Sequence, residues 1–124
     1  MKHAKPWFII FDATAIIIFT LIGRRNHTEP LNPVGILETA WPFLVAASLG
    51  ISFVLVRKLR GTALTSGLII WSFTWPAGML LRLIGGGSVA FSFFIVAGLF
   101  LAVFIVGWRL IFSATKLLSA RQPA

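Results

Sequence analysis

Apolar residues fall in four long stretches, roughly Pro6 to Gly23, Thr39 to Val56, Leu64 to Ile84 and Ser88 to Phe112, with most of the charge in the short connections between them. Each stretch is close to the ~20 residues a helix needs to cross a ~30 Å hydrocarbon core. In lipid the backbone must satisfy its own hydrogen bonds, which leaves helices or closed barrels. No alternation of period two and no heptad is sustained, so the pattern predicts helices and argues against a membrane β-barrel. The expected fold class is all-α: an integral membrane protein whose single domain, residues 1–124, is an antiparallel bundle of four transmembrane helices.

Composition agrees. Of the 124 residues 58% are hydrophobic and 11% charged, and a soluble domain of this size could not hide four such helices. The net charge of +8 would point to nucleic acid in a soluble protein. Here the basic residues gather at the ends of apolar spans, where they meet anionic headgroups, so the expected partners are membrane lipids and no nucleic acid. The chain has no Cys, which excludes disulfides and thiolate chemistry. Lys2, His3 and Lys5 ahead of an apolar run resemble a secretory signal. That run contains Asp12 and ends in Gly23-Arg24-Arg25-Asn26 without a small-x-small cleavage site, so a retained first helix is expected.

The basic residues also orient the bundle. One side receives Lys2, Lys5, Arg57, Lys58, Arg60, Arg109, Lys116 and Arg121, and the other Arg24, Arg25 and Arg82. The positive-inside rule then places both termini in the cytoplasm and the protein in the inner (cytoplasmic) membrane. The connection from Arg24 to Glu38 contains Pro30, Pro33 and Gly35 and is the one loop long enough to build a site. Gly61 and Thr62 make a short turn, and Gly85-Gly86-Gly87 joins the third and fourth helices so tightly that they must be antiparallel neighbours. Pro42 reads as a first-turn proline of the second helix, with Thr39 or Glu38 as its cap. Pro76 lies inside the third helix, where it deprives the Ser72 carbonyl of its donor and predicts a kink.

Charge within the spans is the sharper signal. Asp12 lies seven residues beyond Lys5, about 10 Å below the interface at ~1.5 Å per residue, and Arg109 lies seven residues before Lys116, at matching depth on the returning fourth helix. Gly98, Ala102, Ile105 and Arg109 share a face whose small residues permit close approach, and Asp12, Ala15, Phe19 and Gly23 form the comparable face of the first helix. A buried Asp12–Arg109 pair follows, structural in the first instance. A second polar group, Arg24, Arg25, His27, Glu38 and Arg82, falls at the opposite rim, where Arg forks suit a phosphate, a carboxylate or a lipid headgroup. An interfacial anchor is the plainer role for it.

Signals for catalysis are weak. His3 and His27 fall on opposite sides of the membrane, so no metal or haem ligand pair forms within one protomer. Gly85 to Gly87 lacks the following Lys-Ser/Thr of a phosphate loop, and Phe91, Phe93, Phe94, Phe100 and Phe104 suit lipid or helix contact better than a cofactor pocket. Asn26-His27-Thr28 matches the glycosylation pattern only weakly. The expectation is a non-enzyme without cofactor or metal.

The motifs in their order, Asp12, then Gly23-Arg24-Arg25-Asn26-His27, Thr39-Ala40-Trp41-Pro42-Phe43, Gly78-Met79-Leu80-Leu81-Arg82 and Gly107-Trp108-Arg109, resemble the small prokaryotic membrane family catalogued as domain of unknown function three-zero-five-four. The resemblance spans almost the whole chain and implies a four-span membrane protein without an assigned activity. It draws attention to Asp12, Arg24, His27, Arg82 and Arg109. Small multidrug-resistance exporters share the length and an acid in the first helix, but theirs is a glutamate, and their surrounding motifs are absent here. The expected function is therefore a binding, accessory or structural membrane component, with a membrane-protein partner or, as a homo-oligomer, a second copy of the chain beside the lipids as expected partners. The alternative is a proton-coupled small-molecule transporter acting as an oligomer, with Asp12 as the coupling acid.

Overall fold

The computed structural model describes residues 6–26, 31–87 and 90–121. Four helices follow one another: α1 (Trp7–Asn26), α2 (Pro33–Val56), α3 (Leu64–Ile84) and α4 (Phe91–Arg121). All four are long and apolar enough to cross a membrane, and the chain is a multi-pass membrane protein. Each helix packs on its neighbours in sequence and α4 closes the ring against α1, so α1 and α3 stand diagonally. Trp7 at the start of α1 lies 5.4 Å, ring to ring, from Phe112 near the end of α4, which puts these two helix ends at the same end of the bundle.

The helix bounds correct several sequence expectations. α2 starts at Pro33, not Thr39: Pro33 sits in the first turn, where its missing N–H costs nothing, and the Asn32 side chain accepts a hydrogen bond from Gly35 N at 2.7 Å. Pro33 and Gly35 therefore begin a helix instead of breaking one. Pro42 lies inside α2 rather than opening it, and neither Thr39 nor Glu38 is its cap. α3 runs without interruption from Leu64 to Ile84 through Pro76. α1 extends to Asn26, which places Arg24 and Arg25 in its last turn, a favourable end of the helix dipole for cations.

α4 is described from Phe91, the expected start at Ser88 lying outside the described residues, and it continues past Phe112 to Arg121. Its 31 residues span ~46 Å at ~1.5 Å each, well beyond a ~30 Å core. The last turns are exposed and project beyond the start of α3.

Two turns join the helices closely. After α2 the backbone N–H of Leu59 donates to Val54 O at 3.0 Å and that of Lys58 to Leu55 O at 3.1 Å, with Lys58 at φ 57. This is a Schellman ending that holds Lys in the left-handed region glycine usually fills. After α3, Gly86 takes φ 95 and returns the chain to α4.

Lipid offers no hydrophobic drive for helix association, so packing and interhelical hydrogen bonds must hold the bundle. α2 and α3 make the most extensive pairing, close at Gly50, where a Cβ would come within 3.0 Å of Ile70 Cα. α3 and α4 are joined by indole donors: Trp71 Nε1 to Gly98 O and Trp75 Nε1 to Phe94 O, each at 2.9 Å. The two indoles stack at 5.3 Å. Gly98 thus serves α3, since a Cβ there would overlap the Trp75 ring; its small size is not for the approach of α1. α1 has the sparser helix contacts, and its main polar tie is the site described next.

A buried ion pair as the candidate functional site

Asp12 lies on the second turn of α1 and Arg109 three turns before the end of α4; both are 0% exposed. They meet directly. Arg109 Nη1 donates to Asp12 Oδ1 at 2.6 Å and Nη2 to Oδ2 at 2.7 Å, the two-pronged match of a planar guanidinium with a carboxylate.

Neighbouring groups take up the remaining capacity. Trp108 Nε1 donates to Asp12 Oδ1 at 2.9 Å. Arg109 Nε donates to Gly61 O at 2.8 Å and Nη1 also to Ile105 O at 2.9 Å. The guanidinium carbon lies 4.3 Å from the Trp108 ring centroid and 5.8 Å from that of Phe8. One residue of α4 is therefore bonded both to α1 and to the turn between α2 and α3.

Space for this comes from two glycines. A Cβ on Gly67 would stand 2.6 Å from Arg109 Cδ, and one on Gly61 would overlap the Phe8 ring. Burial of two charges costs several kcal/mol each unless their hydrogen bonds are made, and here they are made.

Depth along two antiparallel spans was sufficient to bring Asp12 and Arg109 together from sequence. It did not suggest Trp108, Gly61, Gly67 or Phe8. Trp108 neighbours Arg109 in sequence and would ordinarily point elsewhere on the helix. Only the turn of α4 against α1 lets adjacent residues reach one carboxylate.

The other predicted residues are placed differently. Arg24 is buried, donates from Nη1 to Thr39 Oγ1 of α2 at 2.8 Å, and lies so close to Gly35 that a Cβ there would strike its guanidinium. Arg25 and Glu38 are exposed. Arg82 is half-buried, with its guanidinium 4.9 Å from the Phe93 ring centroid of α4. His27 lies outside the described residues. Among the described residues no three His, Cys, Asp or Glu side chains gather as a metal site would require.

Two grooves flank the site. One, of about 280 Å³, opens between α1 and α4 beside Phe11, Thr14, Phe104 and Trp108, at membrane depth. The other lies at the end of the bundle where α4 overhangs the start of α3.

Neither a curated protein nor a solved structure matches the chain. A family model does, over residues 9–112, a segment that holds Asp12, Trp108 and Arg109 together with α2 and α3. The chain belongs to the family described as "Protein of unknown function (DUF3054)".

Proposed function

We propose that the protein is a binding or accessory component of the cytoplasmic membrane, not an enzyme, and that the Asp12–Arg109 pair is its internal clasp. The supporting observation is that both carboxylate oxygens of Asp12 are engaged by Arg109, one of them also by Trp108, and that the pair has no exposure. An acid that exchanges protons with substrate must be released from its partner for part of a cycle. Here that release would break two hydrogen bonds from Arg109 and one from Trp108 at once.

Contact with ligand or lipid is then assigned to the rim, with Arg24, Arg25, His27, Glu38 and Arg82 as its polar members. Lipids are the constant partners, and a second membrane protein or a second copy of the chain fits the exposed apolar helix faces. The termini lie on the cytoplasmic side in this reading, because eight of the eleven basic residues are on theirs.

Native mass spectrometry of the protein isolated with its membrane neighbours tests the proposal, and the expected result is a retained protein partner or a bound small anion lost in Arg24→Gln/Arg82→Gln. Proton flux in liposomes tests the transporter alternative. None is expected when a lipophilic cation is offered. Flux that appears and is abolished by Asp12→Asn, with the fold intact, overturns the accessory reading.

A further inference from the structure

The end of the bundle that carries the start of α3 holds a groove of about 540 Å³, away from the rim and unused by the reading above. Its walls are unlike those of a gap between lipid-facing helices. Arg60, Thr62 and Leu64 form one side, and Phe112, Ser113 and Lys116 of α4 the other. This wall exists because α4 continues past Phe112 for more than two further turns.

Several features give the groove an anionic preference. Arg60 and Lys116 bring two cations to it, and no described acid lines it. The Arg60 carbonyl accepts from Ala63 N at 3.1 Å and from the Ser66 hydroxyl, which fixes the turn that carries the Arg60 side chain. Lys116 Nζ lies 5.6 Å from the Phe112 ring centroid, on the groove wall.

α3 begins at Ala63 without a side-chain cap, so its first-turn N–H groups are not taken up by a capping side chain. A helix start alone would prove nothing, but it is joined by Thr62. This residue is only 9% exposed, lines the groove, and its hydroxyl bonds to no other described residue. The rest of the residue is packed away, so its hydroxyl is presented to the groove, where a ligand oxygen can take it up.

The geometry points to a binding site for a phosphate group between the start of α3 and the overhang of α4, with Arg60 and Lys116 as the cations, Thr62 and Ser113 as hydroxyl donors and the uncapped α3 start completing the cradle. Helix starts and basic side chains bind phosphate by the same electrostatics. Leu64 and Phe112 border the site, so an acyl chain can lie beside a bound headgroup. The phosphate can come from an anionic lipid or from a soluble anion. The site stands at the opposite end of the bundle from the proposed rim, so either can fail without the other.

The test uses the full chain in neutral detergent, with native mass spectrometry reading binding of phosphatidylglycerol, phosphatidylcholine and inorganic phosphate as separate probes. Phosphatidylglycerol should be retained over phosphatidylcholine, whose choline repels the two cations. Arg60→Gln/Lys116→Gln should weaken its retention by about tenfold or more, the worth of losing charge-assisted hydrogen bonds. Arg57→Gln/Lys58→Gln removes as much charge from the same end but outside the groove, and should leave retention nearly unchanged. Thr62→Val, which removes no charge, should also weaken it. Both cations of the groove are exposed, so circular dichroism should show the variants folded.

Inorganic phosphate bound with the same sensitivity to these variants, in the absence of lipid preference, supports the site and makes a soluble anion its ligand. Equal losses in the two charge-removing variants, or undiminished binding in Arg60→Gln/Lys116→Gln, overturn it.

Discussion

At the scale of single residues, Arg109 ties α1, α4 and the α2–α3 turn together through one side chain. Its guanidinium donates to Asp12, Gly61 and Ile105 while Trp108 donates to the same carboxylate. Removing one charge strands the other in an apolar interior. Asp12→Asn or Arg109→Gln alone should therefore destabilise by about 3 kcal/mol or more, whereas the double variant should cost less than the sum. Trp108→Phe removes a single interhelical hydrogen bond and should cost about 0.6–1.7 kcal/mol. Reversible unfolding in mixed micelles would measure all four; strict additivity of the two charge variants would show that the pair contributes no coupling.

At the scale of helices, glycines decide how near two elements come. Gly67 admits the Arg109 stem, with Cδ 2.6 Å from where a Cβ would be, and that stem is held by the bonds at its far end. Gly67→Ala should therefore cost about 1–3 kcal/mol through overpacking. Gly107, two residues from Arg109, has nothing within 4 Å of the same point. Gly107→Ala, inside a helix with open space at that point, should instead stabilise by about 0.4–1 kcal/mol. The same unfolding measurement separates them, and equal effects would mean that loss of glycine itself, not contact with Arg109, sets the cost.

At the scale of the whole molecule, a ring of four helices leaves α1 and α3 diagonal and relies on Arg109 to join α1, α4 and the α2–α3 turn at one end. The other end is tied by Arg24 to Thr39. The uneven distribution of basic residues, eight to three, should set the orientation of this body in the membrane. Reporter fusions at either terminus should be active only in their cytoplasmic form, and the reverse result would invert the proposed topology. Moving Arg57, Lys58 and Arg60 to neutral residues should weaken that bias, since charge near span ends is what the rule counts.

Sequence by itself determined the class, the number of spans and the depth match of Asp12 with Arg109, because hydropathy and charge act through each residue's own exchange between water and lipid. It placed the start of α2 six residues late, at Thr39, since Pro33 and Gly35 read as loop residues until Asn32 is seen to cap a first turn there. It also stopped α4 at Phe112, where the apolar run ends, although the helix continues to Arg121 and so builds the basic groove. The partners of Asp12 beyond Arg109 were decided only by tertiary structure. These helices are apolar on nearly every side, so their pattern carries no preferred face, and their rotation about their own axes is set by contact between surfaces. That rotation turns Trp108 to the carboxylate and Gly98 to Trp75, while the turn ahead of α3 sets Thr62 in the groove.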